Sequence, residues 1–185
     1  FGVLGDLILN FSKVLNQKAS HQPSGQHILN EEYYDRIEAI QFTMSHDDGN
    51  QTDDIEKSDI ILLGVSRTSK TPTAIYLANR GFKTINIPVV LNQTFPEGLN
   101  FNKKTCIIGL IADPERLADI RRNRVAIMKD TSLKDYTDLK SIKKEVDDSK
   151  NLFKKNNWPV IDVTRRSVEE TAASILKIIE IRKNK

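Results

Sequence analysis

The chain has 185 residues, 38% hydrophobic and 29% charged, which suits one α/β domain with a short appendage and lies outside the range of disordered chains. Lys plus Arg total 28 against 25 Asp plus Glu, and a net charge of +3 does not by itself mark a nucleic-acid binder. One cysteine, Cys106, excludes a disulfide framework and a zinc site built on cysteine pairs and predicts a reducing compartment, the cytoplasm; no apolar run approaches the roughly 20 residues of a membrane helix, and nothing resembles a secretory signal.

Residues 1–16 place Leu4, Leu7, Ile8, Phe11 and Leu15 at helical spacing, and 17–30, with Pro23 and Gly25, read as a linker. Residues 31–44 predict a helix whose apolar face is Tyr33, Ile37, Ile40 and Met44. His46-Asp47-Asp48-Gly49 ends it and opens a polar loop through Glu56. Residues 59–63 form a short, continuously apolar run of the kind that makes buried parallel strands. A helix is predicted over 72–80, closed by Gly81 as a left-handed cap, then a strand over 83–90. Residues 91–103, with Pro96 and Gly98, form a loop, and 105–112 the third strand.

Asp113-Pro114-Glu115 combines a capping carboxylate, a proline at the first helical position and an acid in the first turn, and opens a helix running to Met128. A long helix is predicted over 135–156 with Leu139, Ile142, Val146 and Phe153 on one face. The fourth strand spans 159–163, with Trp158 packing at the sheet edge. Ser167-Val-Glu-Glu170 is a capping box, and the last helix turns Val168, Ala172, Ile175 and Ile179 inward. Apolar strands separated by helices predict a parallel sheet with helices on both faces. Cys106, mid-strand among apolar residues, is assigned to the core.

The segment richest in chemistry is Gly64-Val65-Ser66-Arg67-Thr68-Ser69-Lys70-Thr71. A phosphate-binding loop reads G-x-x-x-x-G-K-[ST] between a strand and a helix, and Ser69 is the one departure, where the pattern wants glycine. In that reading Gly64 starts the turn, Lys70 reaches the β- or γ-phosphate, Thr71 holds Mg²⁺ through its hydroxyl, and main-chain N–H groups form the anion site. The other reading is a Ser/Thr-rich turn that caps a helix and binds nothing.

Arg121 and Arg124 stand three apart on one helix and share a face, so they either close over transferred phosphates or form a solvated basic surface, as Arg116 and Arg122 do in the second reading. Asp113 follows a strand, where a metal acid belongs, but reads better as a cap; Asp162, ending the fourth strand, is the alternative. Asp47 and Asp48 are candidates for binding Mg²⁺ or taking a proton, or else a polar turn before Gly49. His46 and His27 are weaker candidates for proton transfer or phosphate binding.

The stretch from Gly64 through Pro72, followed by Ile75-Tyr-Leu-Ala-Asn-Arg-Gly81, resembles the pyruvate, phosphate dikinase regulatory proteins, including those that act on pyruvate, water dikinase. Tyr34-Asp-Arg-Ile-Glu-Ala-Ile40 before His46-Asp-Asp-Gly49, Pro114-Glu-Arg-Leu117 before Ile120-Arg-Arg-Asn-Arg124, and Trp158-Pro-Val-Ile-Asp-Val-Thr164 before Val168-Glu-Glu-Thr-Ala172 carry the resemblance over nearly the whole chain. It implies serine at position 69 as a common variant, and a further N-terminal region ahead of Phe1.

The resemblance further implies a bifunctional enzyme. It would phosphorylate a dikinase threonine with ADP as donor when the neighbouring catalytic histidine is phosphorylated. It would reverse this with inorganic phosphate, releasing pyrophosphate. Residues 64–71 would then bind ADP, Lys70, Arg121 and Arg124 would neutralise charge, Asp48 or Asp47 would act as base or metal acid, and Thr71 would hold Mg²⁺. The organisation expected is a helical bridging segment, 1–51, before a P-loop kinase-like α/β domain, 52–185. The partner is a pyruvate, phosphate or pyruvate, water dikinase, with no nucleic acid and no membrane, and with room for a homodimer. Two rivals are an ATP-dependent P-loop kinase of small molecules and a non-catalytic nucleotide-sensing partner of the dikinase.

Overall fold

The apolar runs become four strands of one parallel sheet, β1 (Ile60–Gly64), β2 (Thr84–Pro88), β3 (Cys106–Ile111) and β4 (Val160–Asp162), in the order β2-β1-β3-β4. The computed structural model describes residues 4–19, 31–49, 54–90, 105–128 and 134–184. The expected loop 91–103 and His27 lie outside these, as do Pro23 and Gly25 of the expected linker. The helices are α1 (Gly5–Leu15), α2 (Glu31–Ser45), α3 (Lys70–Ala78), α4 (Pro114–Met128), the short α5 (Lys134–Thr137), α6 (Leu139–Lys155) and α7 (Val168–Lys183). None among the described residues is long and apolar enough to cross a membrane. Two compact units are distinguished, Phe1–Glu31 and Glu32–Lys185; α1 belongs to the first, and the sheet to the second.

β1 is buried along its whole length because it pairs on both sides and is covered on both faces. Its period-two alternation sends Ile60 and Leu62 to one face and Ile61 and Leu63 to the other. The first face carries Ala74 and Leu77 of α3, Leu117 of α4, Ile142 of α6 and Ala172 and Ile175 of α7. The second holds Ile85, Ile107 and Phe153, with Phe42 and Trp158 packed against them. Phe153 lies flat on Gly109 of β3, where any Cβ would penetrate its ring. Cys106 is buried in the first cluster, as expected.

Local signals fixed the helix ends where the chemistry is strongest. Ser167 and Glu170 form the reciprocal capping box of α7. The Asp113 carboxylate accepts the amides of Glu115 and Arg116, each at 3.0 Å, and so caps α4. Gly81, at φ +86°, closes α3: its amide bonds to Ala78 O and that of Phe82 to Leu77 O, the paired arrangement of a glycine stop.

Two expectations are corrected. The helix predicted over 135–156 is divided at Asp138, whose carboxylate accepts the Ser141 amide and starts α6 afresh. On α2, the stripe Tyr33, Ile37 and Met44 is exposed, and the buried positions are Ala39 and Thr43, followed by His46. That face is chosen by β2, because Thr43 Oγ1 accepts the Thr84 amide at 3.0 Å.

Candidate functional site

In this strand order the connections that follow the adjacent strands β1 and β3 run in opposite directions, toward β2 and toward β4. The loop after β1 therefore stands at the carboxyl-end crevice where open α/β sheets bind ligands. Residues 64–71 fill that position. Gly64 is sterically obligatory: a Cβ would sit 2.6 Å from Leu110 O and 2.7 Å from Thr68 Oγ1. Thr68, fully buried, donates its hydroxyl to Val65 O at 3.0 Å and ties the loop to its own start.

Arg67 and Ser69 both adopt left-handed backbone, at φ 75° and 56°. Ser69 thus keeps the conformation that the phosphate-loop pattern assigns to glycine, at a cost of about 1 kcal/mol. Its departure from the pattern is one of side chain and not of chain path. The turn also starts α3 at Lys70, two residues earlier than predicted.

Lys70 is buried, and its ammonium donates to Val65 O at 3.1 Å. Burial pushes it from 10.5 down to about 8; Asp48 and Asp47 pull it up, and Arg121 and Arg67 push it further down. A cation so placed, with one neutral acceptor, is poised for an anionic ligand.

Asp47 and Thr71 meet beside it. The Thr71 hydroxyl donates to Asp47 Oδ1 at 3.2 Å, and the Asn86 side-chain amide of β2 donates to both, at 3.1 Å from Thr71 Oγ1. Asn86 Oδ1 in turn accepts the Asp48 amide at 3.1 Å, which sets Asp48 in left-handed backbone at φ 54° with an exposed side chain. Asn86 is a position in the candidate site that the sequence pattern did not single out. Its signal was a lone amide between Ile85 and Ile87 in a buried strand, where it needs polar partners.

Arg121 reaches the loop at Ser66. It is wholly buried, ion-paired to Glu145 at 2.7 Å, and donates to Tyr136 O at 3.2 Å and Ser66 O at 3.3 Å. Its guanidinium also lies 4.6 Å from the centre of the Tyr136 ring, whose hydroxyl bonds to Ser66 Oγ at 2.9 Å and accepts from Arg67 Nε at 3.4 Å. Arg121 therefore braces the loop from beneath, while Arg124 is exposed on the same helix. Tyr136 and Glu145 were not singled out from sequence, because each lies on a different helix whose approach only the tertiary fold creates.

His46 is buried, stacked on Phe42, with Nδ1 2.7 Å from Phe42 O, a structural position at the end of α2. Asp162 Oδ1 is engaged by the Thr164 amide and hydroxyl, and these bonds hold its carboxyl below the usual range. Among the described residues no cluster of three or more His, Cys, Asp or Glu suits a metal. Thr71 Oγ1 and Asp47 Oδ1 nevertheless fit the sparse protein contribution of a Mg²⁺ that is otherwise held by water and phosphate oxygens.

The profile of a family described as Kinase/pyrophosphorylase matches residues 1–176. A relative from Pelagibacter ubique is 64% identical over 185 residues, all of this chain and 68% of its own. Relatives from Sphingopyxis alaskensis (49% over 171 residues, 92% of this chain and 63% of the relative) and Brucella anthropi (48% over 186 residues, 99% and 67%) are also similar. All three carry the provisional designation of pyruvate, phosphate dikinase regulatory protein. The chain thus spans about two thirds of the length of these relatives.

Proposed function

The chain belongs to the Kinase/pyrophosphorylase family, and from that premise we propose that it forms the nucleotide- and phosphate-handling part of a bifunctional regulator of a pyruvate, phosphate dikinase. In the forward direction it transfers the β-phosphoryl group of ADP to a dikinase threonine. In the reverse direction it removes that group with inorganic phosphate. The observation that carries the reading is the convergence of one buried lysine and a Thr–Asp pair on a strained turn at the sheet's switch point.

In the forward direction the acceptor hydroxyl oxygen forms a bond to the β-phosphorus, the bond to the bridging oxygen breaks, and AMP leaves. The hydroxyl proton passes to Asp48, whose exposed carboxylate is held at the edge of the loop. Main-chain N–H groups of the turn and the Lys70 ammonium orient the two phosphates. Arg121 acts by holding Ser66 and Tyr136, and through them the loop. Thr71 and Asp47 would hold Mg²⁺, which supplies charge neutralisation at the phosphates. In reverse, an oxygen of inorganic phosphate attacks the phosphothreonine phosphorus, pyrophosphate leaves, and the threonine oxygen recovers a proton from Asp48. Two phosphates occupy the loop in either direction.

The test follows label from β-³²P-ADP into a pyruvate, phosphate dikinase phosphorylated on its catalytic histidine, using the full-length protein. Label on threonine, released as pyrophosphate when phosphate is added, is expected. Transfer from γ-labelled ATP to a small molecule, with none from ADP, overturns the reading.

A further inference from the structure

Beyond the loop, the same edge of the sheet carries a second feature. The turns that follow β3 and β4 border an open polar crevice of about 700 Å³, lined by Asp113, Glu115, Arg116, Asp162, Thr164, Arg165 and Arg166. It neighbours the phosphate loop directly: Gly64 packs on Leu110 O, three residues before Asp113, and β4 lies two strands from β1, about 10 Å away.

The crevice's charges are unevenly committed. Asp113 is occupied by the first amides of α4, and Asp162 by the Thr164 amide and hydroxyl. Thr164 Oγ1 also accepts the Asp113 amide at 2.9 Å, so the two turns form one rigid floor. Of the arginines, Arg166 donates to Ser174. Arg116 and Arg165 are exposed and belong to none of the ion pairs found among the described residues. Asp113 and Asp162 are thus engaged by main-chain and hydroxyl donors, while the exposed Arg116 and Arg165 stand beside one further exposed acid, Glu115.

We infer that this crevice is the docking site for the acceptor polypeptide, taking an extended segment that carries anionic side chains against Arg116 and Arg165. The inference rests on the kinase reading of the adjacent loop and names its protein-binding surface. An open, polar, charge-lined crevice suits a polypeptide; a small acceptor would need an enclosed and largely apolar pocket. Planar guanidiniums pair two-pronged with carboxylate or phosphoryl groups. A segment laid along this edge passes within a few residues' length of the phosphates.

The experiment compares the full-length protein with the double variant Arg116→Gln/Arg165→Gln, measuring ADP affinity, thermal midpoint, and steady-state label transfer to the dikinase. Both residues are exposed, so ADP affinity and the midpoint should be unchanged. KM for the dikinase should rise about tenfold, with kcat within about twofold, and added salt should raise the wild-type KM more than the variant's. Restoring the charges with Arg116→Lys/Arg165→Lys should recover part of the loss. Unchanged KM in an active variant overturns the docking site alone. A raised ADP dissociation constant with unchanged KM assigns the crevice to the nucleotide instead. Absence of transfer from ADP by the wild type defeats the kinase reading, and the docking site with it.

Discussion

Thr71, in the first turn of α3, donates its hydroxyl to the carboxylate of Asp47, in the short turn just past the end of α2, across 3.2 Å. These residues come from opposite sides of β1 in the chain, and Asn86 on β2 holds both. Because Asp47 is thus engaged while Asp48 is exposed, the neighbouring carboxylates are given different roles in the proposed reaction. Asp47 positions, and Asp48 takes the proton.

Replacing both acids, Asp47→Asn/Asp48→Asn, should lower threonine phosphorylation by at least about 100-fold while ADP affinity changes no more than about threefold. Calorimetric titration with ADP, beside a label-transfer assay, reads the two separately. Intact transfer would sink the assignment. Asp48→Asn alone should account for most of the loss of rate.

Lys70 sets a pH dependence. Its folded value, about 8, lies below its ordinary 10.5, so between these pH values the unfolded chain holds more protons and stability rises with pH. Below about pH 8 the full cost of the buried ammonium is present, about 3 kcal/mol. Lys70→Met should therefore be more stable than the wild type at pH 7 and lose that advantage by pH 10, as urea titrations at both pH values will show. Affinity for ADP should fall in the wild type as pH rises above about 8. The variant should bind ADP weakly throughout and without that dependence.

Gly64→Ala places a methyl group against Leu110 O and Thr68 Oγ1. Destabilisation of about 2–4 kcal/mol is expected, with a corresponding drop in the denaturation midpoint. Adding Thr68→Ala should not restore stability, because the closer contact is a main-chain oxygen of a central strand.

Glu145→Ala leaves Arg121 buried without its counter-charge, and should cost about 3 kcal/mol. Glu145→Gln keeps an acceptor and should cost less. The pair Arg121→Met/Glu145→Leu should recover much of that stability while the loop, no longer held at Ser66, binds ADP more weakly. A denaturation series together with ADP titrations separates the two effects.

What was legible in the sequence was what short-range chemistry determines. Ser167 finds Glu170 three residues away, Gly81 supplies a left-handed cap, and four apolar runs become four parallel strands. The loop between β1 and α3 was legible too, because its pattern is contiguous. Asn86, Tyr136 and Glu145 were not, since each reaches the loop from a separate element. The buried face of α2 was misread because apolar content at Tyr33, Ile37 and Met44 outweighed Ala39 and Thr43, whose small side chains are what close approach to β2 requires.

Beyond its internal bonds to Val65 O, the turn after β1 is shaped by the fold around it. Leu110 walls it at Gly64, Arg121 grips it at Ser66, Tyr136 roofs it, and Glu145 anchors the arginine. All four follow it in the chain, so during synthesis the loop emerges long before its supports. Pairing β1 with β3 also requires closing a long segment, the slow event in parallel-sheet folding. The finished geometry of the loop therefore arrives late, with the assembly of the sheet.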